Sequence, residues 1–304
     1  MEMFKKVKKV RYYIFLFLLP ALFIYTIFMI LPLFNSMRMS FYTGKGIVPD
    51  QFCGFQNYVK LFTQFPFRER LSNAFLNNIK FFLMVSIFQN VTGFFLAILL
   101  TRNVKGVKFF RTVYFLPTAL SVIVVGFLFR LILNPVWGIF DKILRAIGLD
   151  FLIRPWLGDP VTALPVLAIV TAWHMIGIPI IFFTAGIDGI SEEIIEASRI
   201  DGVNIWGEIR HMIFPLVKPI IGIVFILTFV GNFSEFEIVY SMETAYGNPA
   251  YATDIFGSFF YRTTFGTVMN VVSDVGLGAA IATIMFILIL IGVIIFLRLS
   301  QRTD

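Results

Sequence analysis

The chain has 304 residues, 58% of them hydrophobic and only 14% charged, with a formal charge of +7. An average soluble domain is roughly 25% charged, so this composition excludes a water-soluble core and indicates an integral membrane protein. The single cysteine, Cys53, excludes an internal disulfide, and His174 and His211 without HExxH or CxxC spacing form no recognisable metal site.

A transmembrane helix needs about 20 mostly apolar residues. Six runs qualify: 12–34, 79–100, 112–133, 161–186, 216–240 and 275–297. The first follows Lys5, Lys6, Lys8, Lys9 and Arg11, the basic start of a signal peptide. Its apolar run is longer than an h-region of about 7–15 residues, so it is expected to be a retained first helix. After the second run comes "RNVKGVKFFR" (102–111), with Arg102, Lys105, Lys108, Arg111 and no acid. Basic residues collect on the cytoplasmic side, which places this loop and the N-terminal tail inside. The +7 charge then follows from membrane orientation, not from a nucleic-acid partner. Alternation puts 35–78, 134–160 and 241–274 outside, and 187–215 and the C-terminus inside. The expected fold is all-α and polytopic, with six transmembrane helices and both termini cytoplasmic. Residues 1–11 form a basic tail, 12–297 the transmembrane domain and 298–304 a second tail. Prolines lie within several runs, among them Pro117, Pro165 and Pro179. Bent helices or ordinary kinked packing both satisfy them.

Between the fourth and fifth runs stands a polar stretch, "EEIIEASRIDGVNIWGEIRHMIFPLVKP" (192–219). Ser191 suits an N-cap, with Glu192 and Glu193 in the first turn, favourable to the helix dipole. Gly202 permits a tight turn. A second helix is expected to carry Ile205, Trp206, Ile209, Met212 and Ile213 on one side, with Pro215 and Pro219 opening the fifth span. This predicts two short helices joined by a sharp bend at the cytoplasmic surface, within a segment of 191–219. An amphipathic pair lying on lipid would be rich in Lys and Arg. This stretch is not, so a docking surface for a protein partner fits better.

The order Glu196-Ala197-Ser198, three residues, Gly202, nine residues, then Met212-Ile213-Phe214-Pro215 resembles the EAA motif of permease subunits in binding-protein-dependent ABC importers. The family form is E-A-A-x(3)-G-x(9)-I-x-L-P, and this chain departs from it at Ser198, Met212 and Phe214. Asp201-Gly202 also matches the sugar-importer form "ARIDGA". "FCGFQNYVKLF" (52–62), "FFRTVYFLP" (109–117), "NPVWGIFD" (134–141) and "FSEFEIVY" (233–240) resemble segments of the carbohydrate, maltose-type subgroup. The resemblance implies that 191–219 is a coupling segment resting in a groove of an ATPase subunit, with Glu196, Ala197, Ser198, Asp201, Gly202 and Trp206 as its contacts. It implies two ATPase subunits, a second permease, an external solute-binding protein and a place in the cytoplasmic membrane of a bacterium or archaeon. No G-x(4)-G-K-[ST] occurs, so ATP and Mg²⁺ belong to the ATPase chains and this chain needs no cofactor of its own.

Polar residues within spans are costly and mark pathways. The candidates are Gln89 and Asn90, Trp173 and His174, and Asn232, Glu235 and Glu237. Asn232 and Glu235 are three apart and would share a helix face, with Phe229, Phe233 and Phe236 as an aromatic surface for a sugar. Glu235 also lies near the expected outer interface, where it could simply be hydrated, and His174 suits an interhelical hydrogen bond as well as a solute contact. Gly276, Ala279, Ala280 and Thr283 read as a small-residue packing face. The expected function is the permease subunit of a sugar or oligosaccharide importer, with no covalent chemistry of its own. An importer of another solute, such as glycerol phosphate, and a secondary transporter are the alternatives. The second would need buried ionisable pairs, which the sequence scarcely offers, and would leave the EAA spacing unexplained.

Overall fold

The computed structural model describes residues 2–44, 48–102, 105–200, 202–266 and 273–301. Among these, four helices are long and apolar enough to cross a membrane: Phe15–Met39, Phe67–Thr101, Ile205–Phe233 and Val275–Arg298. Two further runs are broken pairs. Val107–Ala119 meets Val122–Ile132 at 95°, and Ala163–Met175 meets Gly177–Asp188 at 49°. Counting each pair as one span gives six. The only strands described, Tyr42–Thr43 and Gln51–Phe52, form a small antiparallel ribbon after the first helix.

The two breaks have chemical causes, and each supports the other. Pro117 sits in a 3-10 turn, Leu116–Ala119, after which Leu120 and Ser121 are extended. An extended backbone inside an apolar bundle leaves carbonyls without helical donors. The Leu120 carbonyl pairs with His174 Nε2 at 3.1 Å, and Thr118 Oγ1 donates to the His174 carbonyl at 3.1 Å. In the fourth run Pro179 has no N–H to give to Met175, which weakens the helix where it bends. Gly177 makes the contact possible, because a Cβ there would lie 2.8 Å from Thr118 Oγ1 and 3.0 Å from a Phe115 ring carbon.

Three expected boundaries are corrected. The second helix starts at Phe67, not 79, and its 35 residues extend about 52 Å at 1.5 Å per residue. The third run is not one straight helix. The fifth begins at Ile205 and ends at Phe233, so its start absorbs the second half of the expected short helix pair, and 237–243 forms a separate helix, Glu237–Glu243. A π-turn at Ile209–Ile213 carries the chain from Ile205–Glu208 into Phe214–Phe233 without a break. It lies just before Pro215, whose ring would otherwise crowd the carbonyl four residues back.

The second, fifth and sixth helices share a core of aromatic rings. Phe82 meets Phe229 edge to face at 5.3 Å, and Phe229 lies 5.6 Å from Phe296. On the sixth helix Ala279, Ala280 and Thr283 are buried, and Gly276 packs on the Tyr42 carbonyl. The small-residue face expected there is a packing face. Beside the aromatic rings runs a polar seam. Thr228 Oγ1 donates to Asn90 Oδ1 at 3.1 Å, and Asn232 Nδ2 donates to the Thr228 carbonyl at 2.7 Å. Asn78 Nδ2 donates to the Asn232 carbonyl at 3.0 Å, while its Oδ1 accepts the Phe256 N–H at 2.7 Å. The fully buried Asn78 thus closes the end of the fifth helix and the start of Phe256–Phe265 at once.

Asn78→Ala removes both bonds and leaves a buried carbonyl and a buried N–H unpaired, at about 1–3 kcal/mol each. The purified variant should therefore unfold in detergent at a clearly lower temperature than wild type. Thr63→Ala, whose hydroxyl bonds only its own helix at an exposed site, should unfold within a degree or two of it, about what a change below 0.5 kcal/mol produces.

Candidate functional site

The polar stretch folds as a helix, Glu192–Ile200, then a left-handed turn at Gly202, then the start of the fifth helix at Ile205. Gly202 has φ +75°, and the Val203 N–H donates to the Ser198 carbonyl at 3.0 Å. That bond and that φ are the signature of a Schellman ending. Asn204 caps the next helix, its side chain accepting the Gly207 N–H at 2.8 Å. Ser198 is buried and donates Oγ to the Ile195 carbonyl at 2.7 Å. Glu193 and Glu196 are exposed. Ile200 is 86% exposed and Trp206 69%, with the Trp206 indole edge-on to Phe95 at 6.3 Å. Ala197 lies inside the helix; Asp201 lies outside the described residues. The turn therefore presents an apolar knob beside carboxylates.

Ion pairs stand on either side of the exposed part of this stretch, 193–206. Before it, Asp188 Oδ2 lies 3.5 Å from an Arg111 guanidinium nitrogen; after it, Glu208 Oε1 lies 3.3 Å from one of Arg102. The Asp188 pair is about half exposed on both sides, whereas Glu208 is buried. An open cleft of ≈ 770 Å³ separates the segment from the end of the second helix, lined by Thr101, Arg102, Asp188, Ile195, Glu196 and Glu208. A second, mostly apolar cavity of ≈ 530 Å³ lies between Val107–Phe115 and Gly177–Asp188, with Arg111 and Asp188 on its wall.

The residues expected along a solute path are dispersed. Asn232 and Phe233 are buried in the polar seam and the aromatic core. Asn232 Oδ1 and Asn90 Nδ2 have no protein partner among the described residues. His174 is buried and holds the bend at Leu120. Trp173, on the same helix, is 43% exposed and packs edge-on against Phe129 at 5.3 Å. Glu235 does not share a helix face with Asn232, because the helix ends at Phe233. Its Oε1 accepts the N–H groups of Phe236 at 3.0 Å and Ile238 at 3.1 Å, so the carboxylate caps the helix Glu237–Glu243. Phe236 stacks on Tyr261 at 4.8 Å and lies 5.1 Å from Tyr240, a partly exposed group of three rings.

Residues 89–304 match the family model described as binding-protein-dependent transport system inner membrane component. The chain belongs to that family. Relatives include the probable ABC transporter permease YurN of Bacillus subtilis (strain 168), 33% identical over 279 residues, 91% of each chain. AmyD of Thermoanaerobacterium thermosulfurigenes, a probable permease of a starch degradation products transport system, is 30% identical over 95% of this chain and 94% of its own. In fold, the chain is similar to a chain in the crystal structure of a bacterial alginate ABC transporter in complex with alginate pentasaccharide-bound periplasmic protein. That likeness has a TM-score of 0.81 at 22% identity, covering 99% of this chain and 98% of that one.

In this permease the bend at Gly202 was legible in the sequence, and the ion pairs were not. Arg102 and Arg111 read only as orientation signals. Their partners, Asp188 and Glu208, are single acids flanking the motif, and nothing in their spacing shows which cations they meet.

A Cβ on Gly202 would have nothing within 4 Å, so any penalty there is conformational. Gly202→Asn should be nearly neutral, since Asn enters the left-handed region readily, whereas Gly202→Pro cannot adopt it. Limited trypsin digestion of the membrane-inserted permease should cut Gly202→Pro rapidly after Arg199 and leave Gly202→Asn as resistant as wild type. Equal resistance of all three would remove the argument for this turn.

Proposed function

We propose that this permease is one transmembrane subunit of an ABC importer that moves a sugar or oligosaccharide inward. The observation that carries the coupling half of this proposal is the exposed knob at 193–206. Ile200 and Trp206 stand in the open beside Glu193 and Glu196, at a turn held in shape by its own hydrogen bonds. A mixed apolar and acidic protrusion suits a groove on a protein partner better than it suits lipid headgroups. Glu196, Ala197, Ser198, Asp201, Gly202 and Trp206 form the dock for an ATPase subunit, with Ser198 supporting it from beneath. Two ATPase subunits bind ATP and Mg²⁺ and close on them. A second permease completes the pathway, and an external binding protein delivers the solute.

The carbohydrate assignment is supported by AmyD and, more distantly, by the alginate importer. Trp173, Glu235 and Phe236 retain exposed surface and are the proposed solute contacts. Asn232, Phe233 and His174 contribute by shaping the walls. The proposed topology has six spans, with both termini and the 193–206 knob in the cytoplasm and the segment around Cys53 outside, in the multi-pass arrangement of a cytoplasmic-membrane protein.

Two measurements test this. The native complex, purified through a tag on this chain, should bring down an ATPase chain, a related permease and a binding protein carrying carbohydrate. A different class of solute on the binding protein would overturn the substrate assignment, and the absence of an ATPase would overturn the importer. Cys53, the only thiol, should react with a membrane-impermeant maleimide in intact spheroplasts. Labelling only after permeabilisation would invert the topology.

A further inference from the structure

The entry of the third span is poorly anchored by packing. Val107–Phe115 has no buried residue, and a ≈ 530 Å³ cavity lies between it and Gly177–Asp188. At the other flank a ≈ 770 Å³ cleft separates the 193–206 segment from the end of the second helix. Empty space cannot pass a displacement from one helix to another, because its lining has no partner atoms to push on. Beside these gaps Ile187, Ile190, Ile209 and Ile213 pack with Phe94, Ala97 and Ile98 of the second helix, and two side-chain ion pairs cross the gaps themselves. Arg111 reaches Asp188 from the third span, and Arg102 reaches Glu208 from the end of the second. Asp188 is the last residue of the helix Gly177–Asp188, just before the segment, and Glu208 lies directly before the π-turn within the fifth helix. Each end of the segment is therefore held by apolar packing and by an acid paired with an arginine of a different span.

We propose that Arg102 and Arg111 are positioning residues for transport, tying both ends of the coupling segment to the second and third spans. Displacement of the segment then reaches the 95° bend at Leu116–Ser121 directly through Arg111, as well as through the fourth and fifth helices in which the segment is rooted. This rests on the importer proposed above. The same arginines that hold the loop inside by charge thereby acquire a mechanical task.

The test uses the complete complex in vesicles, with ATPase subunits, second permease and solute-loaded binding protein. Arg111 and Asp188 are about half exposed, and exposed pairs add little to stability, so Arg111→Glu should assemble normally. Its unstimulated ATP hydrolysis should equal wild type, while stimulation by loaded binding protein falls about fivefold or more, the lower range of an ordinary coupling energy. The double reversal, Arg111→Glu with Asp188→Arg, should restore stimulation. For the buried pair, Arg102→Gln with Glu208→Gln removes both charges without stranding one, and should lower the stimulated-to-unstimulated ratio in the same way. A merely structural role would lower assembly and both rates together, and would leave that ratio unchanged. Unchanged stimulation in Arg111→Glu, or no recovery in the double reversal, overturns the ties. A wild-type complex without stimulated hydrolysis overturns the importer itself, a result distinguishable from either.

Discussion

Inside a bilayer no water waits to accept a stray backbone bond, so each break in these helices has to be closed by a side chain from elsewhere. His174 closes the break at Leu120, and Thr118 returns a bond to the His174 carbonyl. Asn78 closes the end of the fifth helix and the start of Phe256–Phe265. Glu235 caps the short helix that follows the fifth span. The buried His174 and Asn78 are thus partners of displaced backbone groups. The bends exist because prolines and extended residues interrupt the helices; they persist because these few side chains satisfy what the interruptions expose.

That constraint also explains what could be read from the sequence. Apolar length found the four long helices and the two bent pairs, because the hydrocarbon thickness sets it directly. Their ends were less legible. Nothing in hydropathy distinguishes Phe67–Asn78, which continues the second helix beyond the apolar run, from a loop. Nor does it reveal that 237–240 turns away from the fifth helix at Ser234. Helical spacing placed Asn232 and Glu235 on one face only by assuming an unbroken helix between them. Gly202 was legible because a left-handed turn demands a residue type. The role of His174 as an interhelical bond was one of two open readings, and its partner, a carbonyl freed 54 residues earlier, carries no mark in the chain.

Charge has a second life in this fold. The loop around 102–111 is basic enough to fix orientation, yet two of its arginines also find single acids on other segments. The two pairs differ in kind. Arg111 and Asp188 meet near water, where the pair can part and re-form at little cost. Arg102 meets a buried Glu208, which cannot be left alone without a large penalty. The pair before the 193–206 segment can therefore be exchanged or reversed without loss of folding, whereas the pair after it has to be replaced as a unit.

Exposed apolar surface has different meanings along this chain. No residue of Phe15–Met39 is buried, and Phe17 and Phe28 are largely exposed. In lipid this costs nothing, because acyl chains are as apolar as the side chains they touch. The same exposure at Ile200 and Trp206 cannot be explained that way for the whole segment, because Glu193 and Glu196 share it and would be repelled by an anionic headgroup layer. Apolar area held in water is unfavourable by roughly 25 cal/mol per Å², and in the proposed topology Ile200 and Trp206 would carry that cost beside a glycine turn and an asparagine cap. With the knob outside the hydrocarbon, as proposed, a surface that is apolar and acidic together has its natural complement in a protein groove with basic edges. For the permease this makes the 193–206 knob the place where a water-soluble partner, and not the bilayer, is the expected neighbour.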